Sequence, residues 1–248
     1  MGPTRNQGDI GIRMIALAVA MAGCANAGLV TSAGAFSGTV TTLNFSQFSG
    51  AASLLTMGPV QVGGPVGKNI IFTSNNPAGS VLGSQPLYDL GGNGTLGGST
   101  SFAGLDVDLF GNDLYTMKFT FATPVSAVGG IINYDILQPG LGVTFGDPII
   151  AALSSGGMVL ESYDLKTLAP ISTPGGNNAG AFRGITRPSA DISAFTLSNS
   201  AIAITSLTVS APSSGPVTSP EPVSMSLIGT GLGMMFWLRR AKKSRRSA

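Results

Sequence analysis

Residues 114–121 alternate without a break, with Tyr115, Met117, Phe119 and Phe121 on one side and Leu114, Thr116, Lys118 and Thr120 on the other. A period of two throws successive side chains onto opposite faces of an extended backbone, so this segment reads as a β-strand buried on one face. Between the two ends of the chain no apolar pattern of period 3.6 persists over three turns. Beyond Pro124, Val128, Ile132, Tyr134 and Ile136 alternate with Ile131, Asn133 and Asp135. Leu141, Val143 and Phe145 follow the Gln138-Pro139-Gly140 turn, which predicts two strands paired across it. Further strands are expected at 40–48, 69–73, 102–110, 158–165, 181–186, 192–197 and 201–209. The last of these is apolar on both faces for much of its length, which places it centrally in a sheet. Many short strands separated by Gly, Pro and Asn breakers predict an all-β domain, an antiparallel β-sandwich or jelly roll, because a parallel sheet would need crossover helices.

The two ends of the chain differ from the middle. Arg5 and Arg13 flank the start of an apolar stretch, 14–22, that closes on Ala25-Asn26-Ala27, the small-x-small pattern of a signal peptide. Residues 1–27 are therefore expected to be a signal helix handled by the Sec export machinery. Cleavage after Ala27 leaves Gly28 as the first mature residue. A second reading takes Met21-Ala22-Gly23-Cys24 as a lipoprotein box acylated on Cys24. At the other end, residues 223–238 are 16 positions without a charge, about 24 Å of helix at ~1.5 Å per residue. Arg239, Arg240, Lys242, Lys243, Arg245 and Arg246 follow. A single transmembrane helix with this basic stop-transfer cluster held in the cytoplasm puts residues 28–219 outside the inner membrane. Pro212-Ser213-Ser214-Gly215-Pro216 opens an extended linker, 212–219, between domain and membrane.

The sequence pI of 8.8 is set by these ends, which hold eight of the thirteen basic residues. Residues 28–219 carry five basic against nine acidic side chains, a net charge of −4, which excludes the basic face that nucleic acid requires. The chain has no His, and its one Cys, Cys24, lies in the segment expected to be removed. Zinc and haem ligation and Ser-His-Asp catalysis are thereby excluded from the mature domain.

Pro220-Glu221-Pro222, the apolar helix and the closing basic cluster, in that order, resemble the PEP-CTERM sorting signal of Gram-negative bacteria. The resemblance implies that residues 220–248 are a transient anchor cut near Pro220, Glu221 and Pro222 by an exosortase-type membrane protease, with residues 28–211 passed to the cell surface or an extracellular polysaccharide matrix. The two prolines hold the processing segment extended. Phe119-Thr120-Phe121-Ala122-Thr123-Pro124, with Phe182-Arg183-Gly184-Ile185-Thr186 and Ile204-Thr205-Ser206-Leu207, is similar to the ectodomain strands of many proteins that carry this signal. Those domains have no assigned reaction, and their terminal strand holds an Asp that this chain lacks.

Inside the domain the chemical candidates are few. Asp106, Asp108 and Asp113, with Asn112, could offer calcium hard oxygen ligands, although their spacing departs from the EF-hand loop; a solvated strand edge explains them equally. The domain's one Glu, Glu161, has no marked carboxylate partner for glycoside hydrolysis. Tyr88, Tyr115, Tyr134 and Tyr163 could stack sugars, with Tyr115 and Tyr134 assigned instead to the core. Residues 91–98 form a glycine-rich loop without the Lys-Ser/Thr pair of a phosphate cradle. Asn44 and Asn93 each open an Asn-x-Ser/Thr sequon. The expected protein is thus a non-enzymatic surface or matrix protein without a cofactor, with a calcium-dependent carbohydrate-binding module or a secreted polysaccharide hydrolase as alternatives.

Overall fold

The computed structural model describes residues 27–50, 53–63, 69–105, 114–135 and 146–211. The chain runs through β1 (Gly28–Val30), β2 (Thr39–Asn44), β3 (Leu54–Thr56), β4 (Val60–Gln61), β5 (Ile70–Ser74), β6 (Ser80–Gly83), β7 (Tyr88–Asp89), β8 (Thr95–Leu96) and β9 (Phe102–Leu105). It continues through β10 (Thr116–Val125), β11 (Ala127–Asp135), β12 (Ile149–Leu153), β13 (Val159–Asp164), the single-turn helix α1 (Leu165–Leu168), β14 (Ala181–Thr186), β15 (Ile192–Ser198) and β16 (Ala201–Ala211). An eight-stranded sheet has the order β1-β14-β11-β16-β9-β6-β3 with β2 also on β16; a six-stranded sheet has the order β13-β12-β15-β10-β5-β4; β7 and β8 form a separate ribbon. Every named strand pair is antiparallel.

The alternation of 114–121 sets the middle of the six-stranded sheet. Met117, Phe119 and Phe121 are buried, whereas Lys118 and Thr120 face solvent. Register places Phe119 opposite Phe72 of β5 on one side and Phe195 of β15 on the other, all three with no exposed surface. Phe45, which follows β2 of the opposite sheet, lies with its ring centroid 6.0 Å from that of Phe119. One apolar core therefore fills the space between the two sheets, as a sandwich requires.

β16 holds the central place that its sequence predicts. One edge pairs with β11 from Ala201 to Ser210, and the other is shared, β9 taking Ile202–Ile204 and β2 taking Ser206–Ala211. Its two apolar faces have separate partners. Ile202, Ile204, Leu207 and Val209 enter the main core, whereas Ala201 and Ala203 join a smaller cluster with Val81, Tyr88, Leu90, Leu96 and Phe102. The β7–β8 ribbon supplies the covering side chains of that second cluster.

Several boundaries differ from expectation. The strand expected at 40–48 stops at Asn44, whose carboxamide oxygen accepts from the Ser46 amide at 3.1 Å and the Ser46 hydroxyl at 2.6 Å. This Asx-type turn ends the ladder and drops Phe45 into the core. β11 pairs with β14 on one edge and β16 on the other. The proposed partner segment across Gln138-Pro139-Gly140 lies outside the described residues, as do Asp106, Asp108 and Asp113. The signal helix, the linker, the sorting motif and the apolar helix at 223–238 lie outside them as well; among the described residues no helix is long and apolar enough to cross a membrane.

Candidate functional site: an uncharged groove and an ion-paired cluster

The outer face of β11 carries Asn133 and Asp135, which are polar yet only 2% and 3% exposed. Burial of such groups demands partners, and Asn133 finds them in the loops that fold over the sheet. Its Nδ2 donates to the Asn93 carbonyl at 3.1 Å, Thr173 Oγ1 at 3.0 Å and the Ala179 carbonyl at 3.1 Å, while its Oδ1 accepts from the Tyr134 amide at 2.9 Å. Asn93 answers from the loop side, its Nδ2 donating to the carbonyls of Tyr134 (2.7 Å) and Ile171 (3.1 Å) and its Oδ1 accepting from the Thr173 amide (3.2 Å). The Tyr134 hydroxyl accepts from the Ile171 amide at 3.1 Å, and burial raises its pKa above the usual tyrosine value. Beside it Arg183 donates to the carbonyls of Ala169, Pro170 and Phe182, each at 2.7 Å, and burial lowers its pKa. These bonds fasten the segments around residues 91–93 and 169–179 to the sheet.

Next to this clamp the two loops meet directly. The Thr95 amide donates to Gly176, the Asn178 amide to the Thr95 carbonyl, and the Gly97 amide to Asn178 Oδ1. Asn178 adopts φ +53°, a left-handed conformation that Asn tolerates. Gly94 stands at φ +90°, where a Cβ would collide with the backbone of Gly176, so only glycine allows the approach. The result is an open groove of about 450 Å³ whose lining includes Pro86, Leu87, Thr95, Gly97, Ser99 and Asn177 and no charged residue. Leu87, 64% exposed, forms an apolar ledge along it. Hydroxyls, an amide and an apolar ledge on a fixed floor suit a neutral polyhydroxylated ligand.

A second constellation lies on β13 and the turn between β14 and β15. Arg187 forks onto Asp191 (Nε–Oδ1 3.0 Å, Nη2–Oδ2 2.7 Å) and reaches Glu161 at 3.0 Å, and the Tyr163 hydroxyl donates to the other Glu161 oxygen at 2.6 Å. Burial and then the bond to Glu161 push the Tyr163 hydroxyl up to about 12. The Arg187 fork holds the Asp191 carboxyl below its usual value of 3.8, and the two carboxylates raise the Arg187 guanidinium. A carboxyl more acidic in the folded than in the unfolded chain contributes its full stability above the unfolded value and loses it as pH falls below that value. Urea midpoints of the wild type and Asp191→Asn are therefore expected to differ most at about pH 6 and to converge towards about pH 3. The Lys166–Asp147 pair is half-exposed on both sides and adds little.

Of the residues singled out in the sequence, Ala27 is exposed and Gly28 opens β1. Pro220, Glu221, Pro222, the basic cluster 239–246, Ala25 and Cys24 lie outside the described residues. Tyr88 is corrected as a sugar platform: it is 6% exposed, its ring packs 4.9 Å from Phe102, and its hydroxyl donates to the Leu105 carbonyl. Tyr115 and Tyr134 are buried as expected. The Asn93 sequon is engaged in the clamp. The clamp itself and the groove-forming Asn177 and Asn178 escaped sequence reasoning, the available signal being a second Gly/Asn-rich run, Pro174-Gly175-Gly176-Asn177-Asn178, matching that at 91–98. Among the described residues no group of three or more acidic, His or Cys side chains is placed to hold a metal. No protein-family model, no curated protein and no solved structure matches this chain.

Proposed function

We propose that this is an exported, non-enzymatic surface or matrix protein whose β-sandwich is carried to the outer membrane face or beyond by a PEP-CTERM signal that an exosortase cuts. The observation that carries the reading is the coincidence of two boundaries. Among the described residues the last strand ends at Ala211, and the first compact unit ends at the same residue, so the linker and the sorting-type segment, 212–248, fall outside it. Residues 212–219 then separate the sandwich from the Pro-Glu-Pro motif by eight positions, a reach of roughly 27 Å when extended. A linker of this reach is long enough for a membrane protease to act on the motif. With an epitope tag placed before Ser213, cell fractionation is expected to yield a shortened product at the surface or in the medium. A full-length form confined to the inner membrane overturns the proposal.

The groove favours a second reading, a carbohydrate-binding module for neutral extracellular polysaccharide. Its uncharged lining and exposed Leu87 support this role. Calorimetry of the protein with neutral oligosaccharides is expected to give weak binding that Asn177→Ala removes, and the same titration with EDTA separates calcium-dependent from calcium-independent binding. Absence of heat with every neutral glycan eliminates the module.

A further inference from the structure

β1 is an edge strand made of the first three residues that follow the expected cleavage site, and it closes one edge of the eight-stranded sheet. Its register on β14 sets Gly28 opposite Thr186, whose hydroxyl donates to the Gly28 carbonyl. Gly28 has φ +145°, outside the range that other residues favour, and its Cα hydrogen points towards the Tyr163 hydroxyl, which lies 3.8 Å from where a Cβ would stand. Tyr163 links this strand to the ion-paired cluster, its hydroxyl standing beside the Gly28 Cα and donating to Glu161.

The charges of the cluster do not balance. Arg187 contributes one positive charge against two carboxylates, and its fork is committed to Asp191. Glu161, 12% exposed, receives one Arg187 contact and the Tyr163 hydroxyl, so its oxygens keep unused acceptor capacity. A partly buried carboxylate with a net surplus of one negative charge attracts a cation that can reach it without a desolvation penalty of its own.

We infer that the α-ammonium freed at Gly28 is that cation, so that the mature N-terminus docks beside Glu161 and Tyr163 and becomes a structural member of the sheet edge. This rests on cleavage after Ala27, as in the proposed function. In the uncleaved chain the same position is an uncharged peptide whose strand already pairs with β14, and processing adds the charge to that edge. Export and final consolidation of this edge are thereby coupled through one amine.

The test uses the full chain exported from a Gram-negative host. Mass spectrometry reads the first residue of the purified protein, and NMR of the ¹³C-dimethylated N-terminus reads its titration at low salt and at about 1 M salt. The expected result is a chain beginning at Gly28 whose amine titrates about one unit above the ordinary α-amino value of ~7.7–8.0, the shift shrinking in high salt and disappearing in Glu161→Gln. The groups facing this amine are Glu161 and Tyr163 of β13 and Arg187 and Asp191 of the β14–β15 turn, so their variants define the controls. A Gly28 terminus with an ordinary titration, or one unchanged by both salt and Glu161→Gln, overturns the docking while leaving the processing intact. The salt series on the wild type decides the matter even if the variant fails to fold. A first residue other than Gly28, including an acylated Cys24, overturns the processing and the docking with it.

Discussion

Phe119→Ala is expected to lower the unfolding free energy by about 3–5 kcal/mol, the usual result of truncating a fully buried aromatic side chain. The magnitude follows from position. Phe119 has no exposed surface, its ring centroid lies 5.5 Å from that of Phe72 and 6.0 Å from that of Phe45, and it faces Phe195 across β15. Phe45 belongs to the opposite sheet, so the cavity opens at the seam where the layers meet and neither sheet can collapse into it alone. A domain of this size is held by only about 5–15 kcal/mol, so the loss is a large share of the total. Thr120→Ala, one residue along but pointing to solvent, is expected to stay within about 0.5 kcal/mol of wild type. Urea unfolding of the two variants in parallel is the check. Equal midpoints would show that Phe119 is not where the sheets are joined.

Replacing Pro220, Glu221 and Pro222 together by Ala is expected to abolish the shortened product and leave full-length protein in the inner membrane. The substitution leaves the apolar run 223–238 and the basic cluster intact, so under the proposed sorting it changes only the segment that the protease would recognise. Ala lacks the fixed φ of proline, so the substitution also removes the bias of this segment towards extended backbone. Immunoblotting of membrane and medium fractions separates the forms by size. A wild-type yield of shortened product from the triple variant refutes sorting through this motif.

The strands most visible in the sequence are those with one wet face, close breakers at both ends or a long apolar run. β10 was legible because Lys118 and Thr120 interrupt its apolar row, and β14 and β15 because breakers bound them closely. β12, Ile-Ile-Ala-Ala-Leu, gave no alternation: it lies between β13 and β15, and Ile150, Ala151 and Ala152 are all buried, so both faces are apolar. β6 reads only as Ser-Val-Leu-Gly, and its burial comes from β3 and β9 rather than from any local pattern. The clamp was illegible for a different reason. Asn93, Asn133 and Thr173 are spaced 40 residues apart along the chain and meet only because the sheet order brings their loops together. Tyr88 misled because its hydroxyl suggests an exposed ring, whereas the Leu105 carbonyl satisfies it inside the fold.

β16, the last strand among the described residues, is the one against which β2, β9 and β11 all assemble. Thr42 and Thr208 touch across 166 positions, and the pairings of β2, β9 and β11 with β16 mature only once such distances are closed. A product truncated before residue 201 therefore has no keystone to join the β11–β14 half of this sheet to the β9–β6–β3 half. If the chain is anchored at 223–238 as proposed, that tether gives the late strand time to thread between its neighbours before the molecule is released.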